Sequence, residues 1–352
     1  MRDANLRWPA EWEPQAAVLI AWPHTATDWA ERLDDVESTY AALATAVTRF
    51  QPLIIVVAND DVRARAEARL TSITDPARLL FVERPYDDTW LRDSGPITLT
   101  PESGHSDTGG TPGFRLLDFR FTGWGGKFNA AQDDALIDGL VHAGLFGHVE
   151  HHRIDWALEG GAVESDGKGT VLTTWRCLHQ RHPTQSREDI TRQLRDAFAA
   201  ERVLWLDHGY LEGDDTDAHI DTLARFAPGD AIVYQACDDD DDPHHAELAA
   251  MAAELAALRT TDGLAYNLHP LPWARPILDG NRRLAASYAN YLVINHAVLV
   301  PAYGDPSDDA AADIISAAHP GREVVQIPCR PLIWQNGSLH CITMQLPAGV
   351  LA

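Results

Sequence analysis

Positive charge is what this 352-residue chain has least of. Lys and Arg together number 28 against 52 Asp and Glu, a formal net charge of −24, and the only lysines are Lys127 and Lys168. A chain so acidic repels the phosphate backbone of a nucleic acid and raises the local concentration of cations. No nucleic-acid partner is expected, and a cationic or neutral ligand is. Cysteine is scarce too. Cys177, Cys237, Cys329 and Cys341 stand far apart with no C-x-x-C pair, which speaks against a disulfide scaffold or a zinc ribbon and for free thiols in a reducing compartment. No unbroken apolar stretch reaches the roughly 18 residues of a membrane span, so no membrane partner is expected. The opening MRDANLRWPAEWEP lacks the basic start and apolar core of a secretory signal, and with the free thiols this makes the cytoplasm the expected location. What the chain does have is apolar content, 45% of residues, too much for a disordered protein and enough for a large core. No Ser/Gly linker divides it, so one domain over 1–352 is expected.

The loosest stretch, ESGHSDTGGTPG (102–113), reads as an exposed hairpin loop. Helical patterns begin near Asp61, Asn129, Ser186, Asp242 and Asp305. Ser186 with Asp189 forms a capping box. Asp242 is placed to cap a helix with Pro243 at its first position, ahead of Leu248, Met251, Ala252 and Leu255. A short strand follows each helix: RLLFVE (78–83), HVEHHRI (148–154), RVLWL (202–206), LAYNLH (264–269) and EVVQIP (323–328). After each strand come a polar or glycine-bearing loop and an extended hairpin, as in GAVESDGKGTVLTT, HIDTLARFAPGDAIVYQ and SYANYLVINHAVLVPAY, with turns at Asp-Gly, Pro-Gly and Asn-His. The post-helix strands recur at roughly one fifth of the chain length. A doubly wound sheet would also alternate strands and helices, but it needs no hairpin in every unit. The expected fold is therefore α/β: a five-fold pseudosymmetric α/β propeller of ββαβ-type units, closed so that sheet edges are shielded and equivalent loops meet on the axis.

The unusual polar residues fall at one place in each unit: Asp93 in WLRDSGP, Glu159 in LEGGA, His219 and Asp221 in AHID, Asn290 in SYANY and Cys341 in LHCIT. Cys341 is the candidate nucleophile, because a thiolate with a positioned base is the most reactive ordinary side chain near neutral pH. The other three cysteines read as small buried hydrophobes. His340 is adjacent, but alternation along a strand would turn it away from the side that Cys341 faces. His219 is the candidate base, sharing a strand face with Asp221 two residues on. The same H-x-D pair also reads as two metal ligands, with Asp214, Asp215 and Asp217 as further donors. Asp93, Glu159 and Asp221 would repel a thiolate and an anionic substrate, but they suit a cation. A guanidinium is planar, and its forked donors match carboxylates bidentately, leaving the central carbon open to sulfur. Trp90 and Trp124 are placed to flank that plane.

With these residues in view, the chain resembles the agmatine deiminases and bacterial-type peptidylarginine deiminases, guanidino-group-modifying enzymes with a five-bladed α/β propeller. The resemblance runs in order through PAEWEPQAAVLIAWPH, DDTWLRDSGPI, LDFRFTGWGGKF, LEGGAVESDGKGTVLTT, GDDTDAHIDTLARF, SYANYLVINHAVLVPAYGD and NGSLHCITMQLP. It implies Cys341 as covalent nucleophile, His219 as general acid/base, Asp93 and Asp221 gripping the guanidinium, Glu159 supporting the site beside His219 and Asn290 lining the pocket. It implies no metal and no organic cofactor, a small cationic guanidine as substrate and a homodimer. The implied reaction is hydrolysis of agmatine to N-carbamoylputrescine and ammonia through a cysteine thiouronium. Deimination of peptidyl or free arginine and amidino transfer in the same fold are the neighbouring alternatives, and a non-catalytic ring protein is a more distant one. The chain departs from the family where Gln335 and Asn336 stand in place of glycines before the cysteine. Glycine there permits positive φ, so a stiffer or differently shaped loop is expected.

Overall fold

The computed structural model describes residues 5–73, 75–102 and 113–352. Among the described residues five sheets repeat one pattern, and a sixth is the small hairpin of Leu278–Asp279 with Arg282–Arg283. In each of the five, two antiparallel strands are followed by a third that runs parallel to the second, reached through helix. The first sheet pairs Ile97–Pro101 with Phe114–Arg120 and then Val149–Ala157, with the two-residue strand Leu6–Arg7 added at its free edge. The second joins Val163–Ser165, Thr170–Thr174 and Arg202–Leu206. The third joins Ala224–Ala227, Ala231–Gln235 and Asn267–Leu271. The fourth joins Leu292–Ile294, Ala297–Ala302 and Glu323–Pro328. In the fifth, Met344–Pro347 from the C-terminal end pairs antiparallel with Gln15–Ala21 from the N-terminal end, followed by Leu53–Val57 and Leu79–Glu83 in parallel. That last pairing ties the two ends of the chain into one unit.

Burial falls across every sheet. The first strands, such as Val163–Ser165 and Leu292–Ile294, are wholly buried, whereas the last strands, such as Leu79–Glu83 and Glu323–Pro328, alternate with solvent. A strand buried on both faces reads as a continuous apolar run, and a half-buried one as alternation. The crossover helices pack outside. Arg187–Ala197 opens on the expected capping box, Ser186 with Asp189, and buries Ile190 and Leu194. Its charged residues face water.

Three expectations are corrected here. The third sheet's outer strand is Asn267–Leu271, displaced along the chain from 264–269. The helix expected to be capped by Asp242 begins at His245, with His244 preceding it and making no side-chain cap bond. Asp242 Oδ1 accepts the His244 N–H at 2.9 Å, just ahead of the helix, while its Oδ2 accepts from Trp273 Nε1 at 2.9 Å and Arg283 Nη2 at 2.6 Å. A long helix, Leu33–Thr48, also lies in the fifth unit ahead of Asp60–Arg69, so this unit carries two helices and a fourth strand. The strands flanking the 102–113 loop pair as expected; residues 103–112 of that loop lie outside the described residues. Among the described residues no helix is long and apolar enough to cross a membrane.

Candidate active site

Each outer strand connects to the first strand of the next sheet, and the five connections carry the candidate residues. Asp93 sits in the short helix Leu91–Ser94. Glu159 precedes the 3-10 turn Gly160–Ala162. His219 and Asp221 flank and enter the turn Ile220–Thr222, which corrects the expectation that they share a strand face. Asn290 precedes Leu292–Ile294, and Cys341 precedes Met344–Pro347. Three of these groups meet above the backbone of Gly161. A Cβ on that glycine would lie 2.7 Å from His219 Nδ1, 2.8 Å from Asp93 Oδ1 and 3.1 Å from Asp221 Oδ2. Only glycine allows the approach, and the Gly161 N–H donates to Asp93 Oδ1 at 3.0 Å.

Around the sulfur, Asn290 Oδ1 accepts from the His340 N–H at 2.9 Å and from the Cys341 thiol at 3.4 Å. Cys341 Sγ lies 3.9 Å from Asp221 Oδ2. The same oxygen of Asp221 meets His340 Nδ1 at 2.8 Å, and His340 Nε2 meets Glu11 Oε2 at 2.7 Å. The alternation argument for His340 therefore fails in its geometry: the residues before Met344 form turns, not strand, and His340 lies against Asp221. It is nevertheless not placed as a base, since both its nitrogens are occupied. Burial raises the Cys341 thiol well above its ordinary range, with Asp221 and Asp93 adding to the effect, which favours the thiol over the thiolate in the empty site.

The other half is built on His219. Its Nε2 lies 3.3 Å from Glu159 Oε2, and Glu159 is pinned by Arg181 Nε at 2.8 and 3.0 Å. Its Nδ1 is buried with no hydrogen-bond partner, 3.6 Å from Asp93 Oδ1. Burial opposes charge on this ring, but Asp93 and the other groups around it outweigh burial and raise its pKa well above the usual histidine range. Asp93 also accepts from Trp124 Nε1 at 2.8 Å. Burial, helped by Asp221 and Glu159 and opposed by His219, pushes Asp93 up to about 6. Asp221 goes the other way: the hydrogen bond and charge of His340 outweigh burial and hold it below its ordinary value. Asp221 Oδ1 is a second buried polar atom without a partner.

A cavity of about 430 Å³ opens onto Cys341 and Asp93, walled by Trp90, Trp124, Phe128 and the loop Trp334–Gly337. Its remaining charged lining is Asp28, Asp87, Asp88, Asp133 and Asp215, with no Lys, Arg or His among the described residues that line it. The backbone of this loop reaches the positive φ that glycine would have supplied. Asn336 adopts φ +70°, a left-handed conformation that asparagine tolerates, and Gln335 ends a 3-10 turn. Glycine is needed one residue later, where a Cβ on Gly337 would come within 2.2 Å of the Trp90 ring.

The alternative metal set is not assembled around His219. Asp214 accepts from Thr216 and Ala218, Asp215 from Asn336, and Asp217 from Arg181 and Lys127. Glu159, Cys177 and His219 do bring donor atoms within 4.8 Å of one another, but the Arg181 guanidinium covers both oxygens of Glu159 and opposes a cation there. Glu11, Gly161 and Arg181 complete the site, although the sequence by itself assigns them no role. The doubled glycine of LEGGA was the only available sign of Gly161, and nothing local marks Glu11 or Arg181.

The chain matches the family model of Porphyromonas-type peptidyl-arginine deiminases over residues 7–347. It is 33% identical to the agmatine deiminase of Stutzerimonas stutzeri, over 99% of this chain and 97% of that one. Among solved structures, a Porphyromonas gingivalis protein provisionally named an arginine deiminase is 44% identical with a TM-score of 0.90, over 99% of this chain and 100% of that chain. The C. jejuni agmatine deiminase, solved as a Cys-to-Ser variant with substrate bound, is 30% identical with a TM-score of 0.88, over 98% and 97%.

Proposed function

We propose a reaction from one premise: the chain belongs to the Porphyromonas-type peptidyl-arginine deiminase family and is a guanidino-group hydrolase. Its five like sheets are read as the blades of a single propeller domain spanning 1–352, with the site on the axis. The substrate is agmatine, converted to N-carbamoylputrescine and ammonia. The observation that carries this choice is the lining of the cavity: five aspartates beyond Asp93 and no cationic side chain. Free arginine would bring a carboxylate into that lining and need a cation to meet it. Agmatine brings a second cation instead. Burial first, and then nearby carboxylates, hold both Asp88 and Asp133 up at about 7, and an ammonium beside them would relieve part of that cost.

The guanidinium docks between Asp93 and Asp221, where the unpartnered Oδ1 of Asp221 can accept from it. Its charge offsets the two carboxylates and lowers the cost of ionising Cys341, whose proton leaves to solvent through the cavity as the thiolate forms. Sulfur attacks the central carbon. His219, which starts as the imidazolium, gives its Nδ1 proton to the leaving nitrogen while Nε2 stays bound to Glu159. Ammonia departs and an S-alkylthiouronium remains. Neutral His219 then takes a proton from water, which adds to the same carbon and expels the thiolate. The likeness to the Porphyromonas gingivalis protein keeps an arginine substrate as the second reading. A colorimetric ureido assay over agmatine, free arginine and a peptide ending in arginine separates the two. Agmatine is expected to lead in kcat/KM, and faster turnover of either arginine substrate would overturn the choice. Ammonia release without an added amine acceptor decides against amidino transfer.

A further inference from the structure

We propose that His340 is a positioning residue whose ring donates from both nitrogens at once, clamping Asp221 in the orientation that receives the guanidinium and tying it to Glu11. The argument begins with donors and acceptors. An ionised carboxylate only accepts. His340 faces a carboxylate oxygen at each nitrogen, Asp221 Oδ2 at 2.8 Å and Glu11 Oε2 at 2.7 Å, so both contacts are hydrogen bonds only if both nitrogens carry protons. Glu11 is itself fixed. Its Oε2 accepts from Arg225 Nη2 at 2.8 Å, and its Oε1 accepts from the Val293 N–H at 2.7 Å. Arg225 also donates to Glu164 at 2.9 Å, and Arg92 Nη2 lies 3.7 Å from Glu11. Every member of this chain of groups is buried. For Glu11 the neighbouring Arg225 guanidinium works against burial in favour of the ionised carboxyl.

The consequence for the site lies in how the two oxygens of Asp221 are divided. Oδ2 faces the histidine and the thiol, and Oδ1 is left without a partner. A carboxylate with one oxygen anchored has its other oxygen aimed, which is the pre-organisation that a bidentate or forked donor needs. Glu11 thus carries the packing of the N-terminal PAEWEP segment through His340 to the atom that meets substrate, across sheets far apart in sequence. The proposal rests on the deiminase reading only in taking a guanidinium as the ligand of Asp221.

Two measurements test it separately. Nitrogen-15 NMR of the full wild-type chain at about pH 7 reads the ring directly and needs no turnover. Both His340 nitrogens should carry protons that exchange slowly, and a ring with one bare nitrogen overturns the clamp whatever the enzyme does. In kinetics, His340→Gln keeps at most one donor and no charge. It should raise KM for agmatine by about tenfold or more, the worth of a charge-assisted hydrogen bond, with a smaller fall in kcat. An unchanged KM in a folded variant overturns the proposal. Glu11→Gln, away from the cavity, should move KM in the same direction more weakly and serves if His340→Gln does not fold. If the wild type leaves agmatine untouched, the substrate reading fails, and the NMR result still decides the clamp.

Discussion

The site contains two histidines, each set between two carboxylates, and the proposed reaction gives them opposite tasks. His340 meets Asp221 and Glu11 at 2.8 and 2.7 Å, with both nitrogens spent. His219 meets Glu159 at 3.3 Å on one side only, and its other nitrogen stands unpartnered 3.6 Å from Asp93. A ring with no free nitrogen holds its neighbours still. A ring with one nitrogen anchored and one open can pass a proton. The difference in role follows from which second carboxylate closes to hydrogen-bond distance, not from residue type or from sequence proximity to the cysteine.

The comparison can be broken most severely at the sulfur that both halves serve. Cys341→Ala should lower turnover by at least about 10⁴-fold, as loss of a covalent nucleophile does, with the thermal melt and circular dichroism unchanged. Retained activity would remove the thiol from the chemistry. His219→Asn should reduce kcat by about 10² to 10⁴-fold, the range of general acid–base catalysis, with KM moving little. Since His340 replacement is expected to act mainly on KM, the two variants should separate cleanly in steady-state kinetics, and the same pattern in both would erase the distinction. Asp93→Asn belongs to both halves and should cost about 2–4 kcal/mol in kcat/KM, read in affinity and rate together.

Acid should act on the His219 half first. Asp93, pushed up to about 6 by burial and by Asp221 and Glu159, takes up its proton as the pH falls through that value and loses its charge for the guanidinium. The kcat/KM profile should therefore decline below about pH 6 in the wild type. A carboxyl whose pKa is higher folded than unfolded binds its proton more tightly when folded, so protonating Asp93 does not itself destabilise the protein. A melting temperature that holds while kcat/KM falls would confirm that order. The smallest effect belongs to the cavity mouth: Asp88→Asn should raise KM for agmatine by about three- to tenfold, a loss of roughly 1 kcal/mol, and leave that for free arginine nearly unchanged.

Much of this arrangement was readable before any coordinates. The strand, helix and hairpin periodicity predicts five like sheets, and the polar residues read at one position of each unit do fall on the five connections between sheets. That works because pairing and burial are set by local patterns that repeat. The sequence reading failed where the local pattern was silent. Helix Leu33–Thr48 follows a 3-10 turn and has no capping side chain, so Asp34 and Asp35 in its first turn are the weak mark of its start. Strand alternation turns His340 away from the cysteine's side, but the backbone there turns before the strand begins at Met344. The replacement of glycine by Asn336 speaks against positive φ, yet Asn336 adopts it. Glu11 and Arg181 act through partners 329 and 22 residues away, distances over which a single sequence holds no spacing rule.

The central claim is that the sulfur of Cys341 bonds to the guanidinium carbon held between Asp93 and Asp221. Rapid acid quench of the enzyme turning over agmatine, followed by peptide mapping in a mass spectrometer, tests it directly. A transient mass increase equal to agmatine less ammonia, confined to the Cys341 peptide, is the predicted result. Ammonia released with no such adduct, or an adduct on Cys177, Cys237 or Cys329, would contradict it.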